Sequence, residues 1–176
     1  NIISSECWTG ITIGWGANPC LAMCLLADKD IYVTCEWDIH MTITNVLLLS
    51  ATRGKEKPIQ GEFTCRNPQN DNSELLWHCG PFPLKYKAEG VKPFLYNTKP
   101  SFRLKDGQYT IARFQADAGK YYLFAKDFKT CDGPKTFGTY MWAEFEDWPK
   151  IERKMVEGPY IHHMTEVPGN YVEYLK

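Results

Sequence analysis

Three apolar, strand-like runs in this chain each end on a side chain able to bind a hard divalent cation: Ile31 to Glu36, Pro58 to Glu62, and Tyr160 to His163. Two carboxylates and one imidazole, remote in sequence and each at an element end, form a small donor set. It can hold an Mn²⁺- or Mg²⁺-like ion and leave open faces for the oxygens of a polyol. Other residues with chemistry stand near these three. His78 and Cys79 precede Gly80 in a turn after the apolar Leu75-Leu76-Trp77, and His162 abuts His163. Adjacent residues of an extended strand point to opposite faces, so only one of the two histidines is expected to reach a shared ion.

A donor set of this kind suits the migration of a carbonyl between neighbouring carbons. A proton must leave one carbon and arrive at the other, through an enediolate whose charge a chelating cation stabilises while flanking carboxylates act as base and acid. Glu36 and Glu62 then serve as both ligands and proton carriers. The flat faces of Trp15, Trp77 and Trp142 are candidates to stack on a sugar ring. A different donor set, His78, Cys79 and His163, would make a zinc site instead.

The elements that must position these residues follow from local pattern. Pro19 suits a first helical turn, and Cys20 to Ala27 are strong helix formers. After Asp28-Lys29-Asp30, the run Ile31 to Cys35 is β-branched and aromatic without polar alternation, as in a buried parallel strand. Asp38 can cap a helix over Ile39 to Thr52, where Met41, Ile43, Val46, Leu47 and Leu49 recur on a helical period. Beyond Gly54 the texture changes to short strands at Ile59–Cys65, Glu74–Cys79, Tyr109–Gln115, Lys120–Phe128 and Thr136–Phe145. Breakers such as Asn67-Pro68, Lys105-Asp106-Gly107 and Asp132-Gly133-Pro134 divide them. Trp148-Pro149 can start a helical turn, and Asn170 to Lys176 reads as the start of an amphipathic helix.

The fold expected from this pattern is mixed α+β: the tail of an α/β domain, an antiparallel six-stranded β-barrel and a returning C-terminal helix. The divisions fall at residues 1–57, 58–160 and 161–176. A lone α-β-α unit offers too few strands for a parallel sheet, so this reading makes the chain the C-terminal portion of a longer protein.

The 176 residues carry 20 Lys and Arg against 21 Asp and Glu. That balance supplies no clustered basic surface for nucleic acid or an anionic membrane. No apolar stretch approaches the roughly 20 residues of a membrane span, and the first residues lack the pattern of a signal peptide, so a cytoplasmic location is expected. Seven cysteines form no Cys-x-x-Cys pair, and Cys20, Cys24, Cys35, Cys65 and Cys79 lie in or beside apolar runs. They are read as reduced, buried small hydrophobes.

Taken together, these blocks resemble a family. Glu6-Cys7-Trp8, Pro19-Cys20, Cys35-Glu36-Trp37-Asp38-Ile39, Leu75-Leu76-Trp77-His78-Cys79-Gly80, and His162-His163 followed by Gly169 are similar, in order and spacing, to the C-terminal half of L-fucose isomerase and related sugar isomerases. The resemblance implies a metal-dependent aldose–ketose isomerase whose Mn²⁺, or another divalent ion such as Mg²⁺ or Co²⁺, is held by two carboxylates and a histidine. Glu36 stands at the glutamate of the family's Cys-Glu-x-Asp segment. Glu62 stands where an aspartate is usual, one methylene longer. His163, six residues before Gly169, matches the ligand histidine, and His78 matches a pocket-lining turn. The resemblance also implies a sugar substrate, missing N-terminal domains and a homo-oligomer whose subunits share the pocket. The alternative is a barrel that binds sugar or mediates assembly without catalysis.

Overall fold

A computed structural model describes residues 1–176. The chain begins with strand β1 (Ile2–Ser4) and a helical segment (Cys7–Ile13), followed by helix α1 (Cys20–Asp28) and strand β2 (Tyr32–Thr34). A 3-10 turn (Cys35–Trp37) then leads into helix α2 (Ile39–Ala51). The strand expected at Ile31 to Cys35 is parallel and buried, and its neighbour is β1, which the opening residues did not announce. Helix α1 turns Cys20, Met23, Cys24 and Ala27 inward at helical spacing.

Helix α2 is capped as expected, the Asp38 carboxylate accepting from the Met41 amide. Its buried stripe differs from the apolar period: Met41, Thr44, Asn45 and Leu48 face inward, while Ile43 and Val46 are exposed. The cause is polar. Thr44 Oγ1 accepts from the Phe114 amide, and Asn45 links Thr34 to Thr165, so hydrogen bonds choose the face laid on the sheet.

Eight further strands follow: β3 (Ile59–Asn67), β4 (Asn70–His78), β5 (Phe94–Tyr96), β6 (Lys99–Arg103), β7 (Gln108–Asp117), β8 (Lys120–Cys131), β9 (Thr139–Glu144) and β10 (His163–Pro168). They form one sheet in the order β4-β3-β10-β7-β8-β9-β6-β5, and β4 pairs with β9 as well. The ladders therefore link six antiparallel strands in a ring. It is uneven: β7 and β8 pair along their whole length, whereas β8 meets β9 only from Lys129–Glu144 to Cys131–Trp142. The hairpin of β5 and β6 is appended to β9 by a parallel pairing. Its turn residues Asn97 and Thr98 both take positive φ, the geometry of a tight hairpin turn without the usual glycine.

The core fills the ring with Ile59, Leu76, Tyr109, Ile111, Met141 and Met164, and Trp148 and Ile151 of helix α3 (Trp148–Glu157) pack against it. Burying a side chain of this size contributes about 1.5–3 kcal/mol each. Glu166 is also fully buried, with neither carboxyl oxygen hydrogen-bonded. Its carboxyl packs against Gly61, where an added Cβ would come within 2.8 Å of Oε1. The expected C-terminal helix is only a 3-10 turn (Val172–Tyr174): the segment is short, and a single turn lacks the cooperative bonds that sustain a helix.

All seven cysteines are free, and four of the five read as buried are so; Cys65 is exposed, because its strand turns that residue outward. No helix is long and apolar enough to cross a membrane.

Candidate metal centre

Glu36 sits in the turn that joins β2 to α2. Glu36 and Trp37 both have positive φ, 59° and 53°, a backbone shape that costs of order 1–3 kcal/mol at a non-glycine residue. The turn is held from both sides, the Trp37 amide donating to Ser5 O and the Asp38 amide to Cys35 O. This reversal brings Glu36 and Asp38 to one locality at the head of α2.

The second carboxylate is placed by sheet register. Glu62 lies within β3, not at its end, and stands directly opposite His163 of β10 and Trp77 of β4. Gln60, two residues earlier on the same face, binds the β2 end through Val33 O and the Cys35 amide, which clamps β3 against the Glu36 turn. His163 likewise begins its strand, since Tyr160 and Ile161 are irregular. His163 Nε2 is 3.4 Å from Glu36 Oε2 and 3.6 Å from Glu62 Oε1, and the oxygen-bearing trios whose donor atoms all lie within 4.8 Å of one another are Glu36, Glu62 and His78, and Glu62, His162 and His163.

The other face of the His163 ring defines what Nε2 can do. Nδ1 lies 3.1 Å from Asp38 Oδ2, and the same carboxylate oxygen accepts from Arg113 Nη1 at 2.5 Å. Burial pushes the Asp38 carboxyl up, but hydrogen bonds from His163, Arg113 and the Met41 amide outweigh it and hold the group well below the usual carboxylate range. An ionised Asp38 can only accept, so Nδ1 carries a proton, and in the neutral ring it is Nε2 that holds the lone pair toward Glu36 and Glu62. In the neutral ring, Nε2 and the two carboxylates make a set of lone-pair donors that a cation can bridge. The carboxylate–imidazole pair behind Nε2 is the arrangement that orients a metal-ligating histidine.

His78 completes the surroundings with the opposite tautomer. The Cys79 amide donates to His78 Nδ1 at 2.8 Å, so that nitrogen holds the lone pair and Nε2 the hydrogen. The ring is fully buried, with Nε2 3.2 Å from Glu62 Oε1 and in no hydrogen bond. His162 differs from expectation. It lies in a bend before β10, where strand alternation does not apply, and its exposed ring reaches within 3.6 Å of Glu62 Oε2 beside His163.

The tryptophans go elsewhere. Trp15 is 84% exposed near the N-terminal helical segment. Trp142 is buried with Leu75 and Tyr140 in a separate apolar cluster, its Nε1 donating to Pro134 O and its indole against Gly133. Packed in this way it has no face free for a sugar. Trp77 turns its Nε1 to Phe137 O. The sulfur donors also regroup, because Cys79 and His78 gather with Cys35 and not with His163.

Two further residues belong to the site. In sequence Asp38 reads as a helix cap, and its spacing of two from Glu36 is the signal that it belongs with the ligands. Arg113 is the one charge within the apolar run Tyr109 to Phe114, and a buried arginine calls for a carboxylate partner.

No family model matches the chain. Among curated proteins it is similar to a sulfoquinovose isomerase of Alkalicoccus urumqiensis, 26% identical over 142 positions that cover 77% of this chain and 32% of the relative. It is also similar to sulfoquinovose isomerases of Priestia aryabhattai and Priestia megaterium, each 24% identical over 98% of this chain and 40% of the relative. The chain thus spans two fifths or less of the length of these relatives, whose shared name is that of a sugar isomerase.

Proposed function

We propose that this chain carries the metal-binding part of a sugar isomerase that interconverts an aldose and a ketose. The observation that carries the reading is His163 Nε2, its ring held by Asp38 behind it, facing both Glu36 and Glu62. Similarity along nearly the whole chain to enzymes named as sugar isomerases supports it.

Glu36, Glu62 and His163 would hold the ion, and their two-oxygen, one-nitrogen donor set suits Mn²⁺ or a similar hard cation better than a thiophilic one. When bound, the ion supplies Lewis-acid stabilisation of the negative charge that develops as a proton leaves the carbon beside the carbonyl. This chain's residues supply the rest. Glu36 and Glu62 are both partly exposed, so a carboxylate oxygen of each is open to receive a proton from one sugar carbon and return it to the next. His78 Nε2–H faces Glu62 Oε1 at 3.2 Å and complements the charge of that carboxylate.

The pocket wall beyond this cluster is proposed to come from further polypeptide of the same protein and from a second subunit. Trp8, Trp15, Trp37 and Ile39 are exposed on the segments around the Glu36 turn and offer the apolar surface for it.

The test is turnover by the full-length protein with Mn²⁺, on sulfoquinovose first because of the relatives' name and on L-fucose second. Activity lost on chelation, restored by Mn²⁺ and lowered at least about 10³-fold in Glu36→Gln would support the assignment. Turnover unchanged in Glu36→Gln would remove this residue from the chemistry. Sugar binding without turnover in the full-length protein would favour a non-catalytic barrel. The 176-residue chain alone is expected to show no turnover.

A further inference from the structure

Beside the oxygen-rich cluster lies a group of sulfurs that the isomerase reading leaves unused. Cys7, Cys20, Cys35 and Cys79 come from four separate elements, and all four are buried. Cys7 Sγ is 3.3 Å from Cys35 Sγ, and Cys20 Sγ is 3.6 Å from Cys79 Sγ. The sulfurs of Cys35 and Cys79 and a ring nitrogen of His78 all lie within 4.8 Å of one another.

We propose that Cys35, Cys79 and His78 Nδ1 form a second cation site, for a thiophilic ion such as Zn²⁺ or Cu⁺, with Cys7 or Cys20 supplying a fourth ligand. Around a tetrahedral zinc, thiolate and imidazole donors stand about 3.5–3.8 Å apart. The Cys79 Sγ to His78 Nδ1 distance of 3.4 Å and the Cys20 to Cys79 distance lie close to that spacing.

His78 Nδ1 now accepts from the Cys79 amide, so an ion on this nitrogen would displace that hydrogen bond, while Nε2–H faces Glu62. A carboxylate behind the far ring nitrogen is the usual support of a metal-bound imidazole. Loading is balanced by proton release: three thiols and one divalent ion give a tris-thiolate complex and three protons. A hollow of about 10 Å³ bordered by Cys7, Cys20 and Cys79 reaches the sulfurs from the side of Trp8 and Lys99.

The proposal does not rest on the isomerase reading, because it uses sulfur donors and not the Glu36–Glu62–His163 set. The experiment is a Cd²⁺ titration of the reduced, chelator-stripped chain, read by thiolate-to-metal charge-transfer absorption. A saturating band is expected, kept in Glu36→Gln and in the double variant Cys65→Ser with Cys131→Ser, and reduced by half or more in Cys35→Ser and in Cys79→Ser. No band, a band surviving the loss of both Cys35 and Cys79, or a band lost in Glu36→Gln or in the Cys65 and Cys131 double variant would overturn the proposal. Should the Cys35 and Cys79 variants fail to fold, X-ray absorption of the zinc-loaded wild-type chain decides. Two or more sulfur neighbours at about 2.3 Å support the site, and an oxygen and nitrogen shell alone refutes it.

Discussion

Replacing Asp38 with asparagine preserves the side chain's shape and changes only its charge and the hydrogens on one terminal atom. Three partners feel the change. The Met41 amide bond should survive, since asparagine caps helices about as well as aspartate. Arg113 should not fare so well, because its side chain is 1% exposed and would keep only Gln115 Oε1 as a side-chain acceptor. An uncompensated buried charge costs about 3–5 kcal/mol, a large share of the ~5–15 kcal/mol that holds a domain together.

The third partner is His163. An amide hydrogen at position 38 would donate to Nδ1, move the ring proton to Nε2 and take the lone pair away from Glu36 and Glu62. Loss of such a supporting carboxylate lowers metal affinity 10- to 100-fold, about 1.4–2.7 kcal/mol. Denaturant titration reads the first effect and calorimetric Mn²⁺ titration the second. The double variant Asp38→Asn with Arg113→Met removes the stranded charge, so it should recover most of the stability and none of the Mn²⁺ affinity. Unchanged stability and unchanged affinity in Asp38→Asn would refute the reasoning. Recovered affinity in the double variant would show that the ion reports folding and not the His163 tautomer.

Glu166→Gln should stabilise the protein, and more so as pH rises. Burial pushes the Glu166 carboxyl well above its ordinary value, so the stability of the folded form is greatest below the unfolded value of about 4.3. It then falls by up to ~1.4 kcal/mol per pH unit as the unfolded chain ionises first. Urea denaturation at pH 5 and pH 8 should show the larger gain at pH 8, and equal gains would contradict this account. Gly138→Ala should cost at least about 2 kcal/mol by the same assay, since φ there is +78° and a new Cβ would sit 2.2 Å from Trp77 Nε1. Met141→Ala should cost about 2–5 kcal/mol, because its side chain is buried in the ring interior; a loss below 1 kcal/mol would mean that the core collapses around the gap.

Much of the architecture was legible along the chain because it depends on near neighbours. Pro19, Asp38 and Trp148-Pro149 mark helix starts through capping and fixed φ, and the strands at Ile59, Glu74, Tyr109, Lys120 and Thr139 announce themselves by composition between turn residues. The pieces that escaped are those whose stability is not local. β1 is three residues long and exists as a strand only through β2. The β5–β6 hairpin turns on Asn97-Thr98, without the glycine that would advertise it, and the last seven residues had a helical pattern but too little length.

The site divides in the same way. Residue chemistry put Glu36, Glu62 and His163 forward, because carboxylates and imidazoles beside apolar runs are conspicuous wherever they occur, and the family resemblance added a pocket role for His78. It could not say that Trp142 would be packed against Gly133, or that a bend would bring His162 to the same carboxylate as His163. Nor could it give Asp38 a second task or find it the Arg113 guanidinium. Those outcomes depend on cross-strand register and on which helix face meets the sheet, and both are decided by the free energy of burying groups far apart in sequence. Local sequence therefore determined which groups could bind a cation. Only the folded arrangement decided which lone pairs face one another, since a histidine's tautomer is set by the partner that tertiary packing places behind its ring.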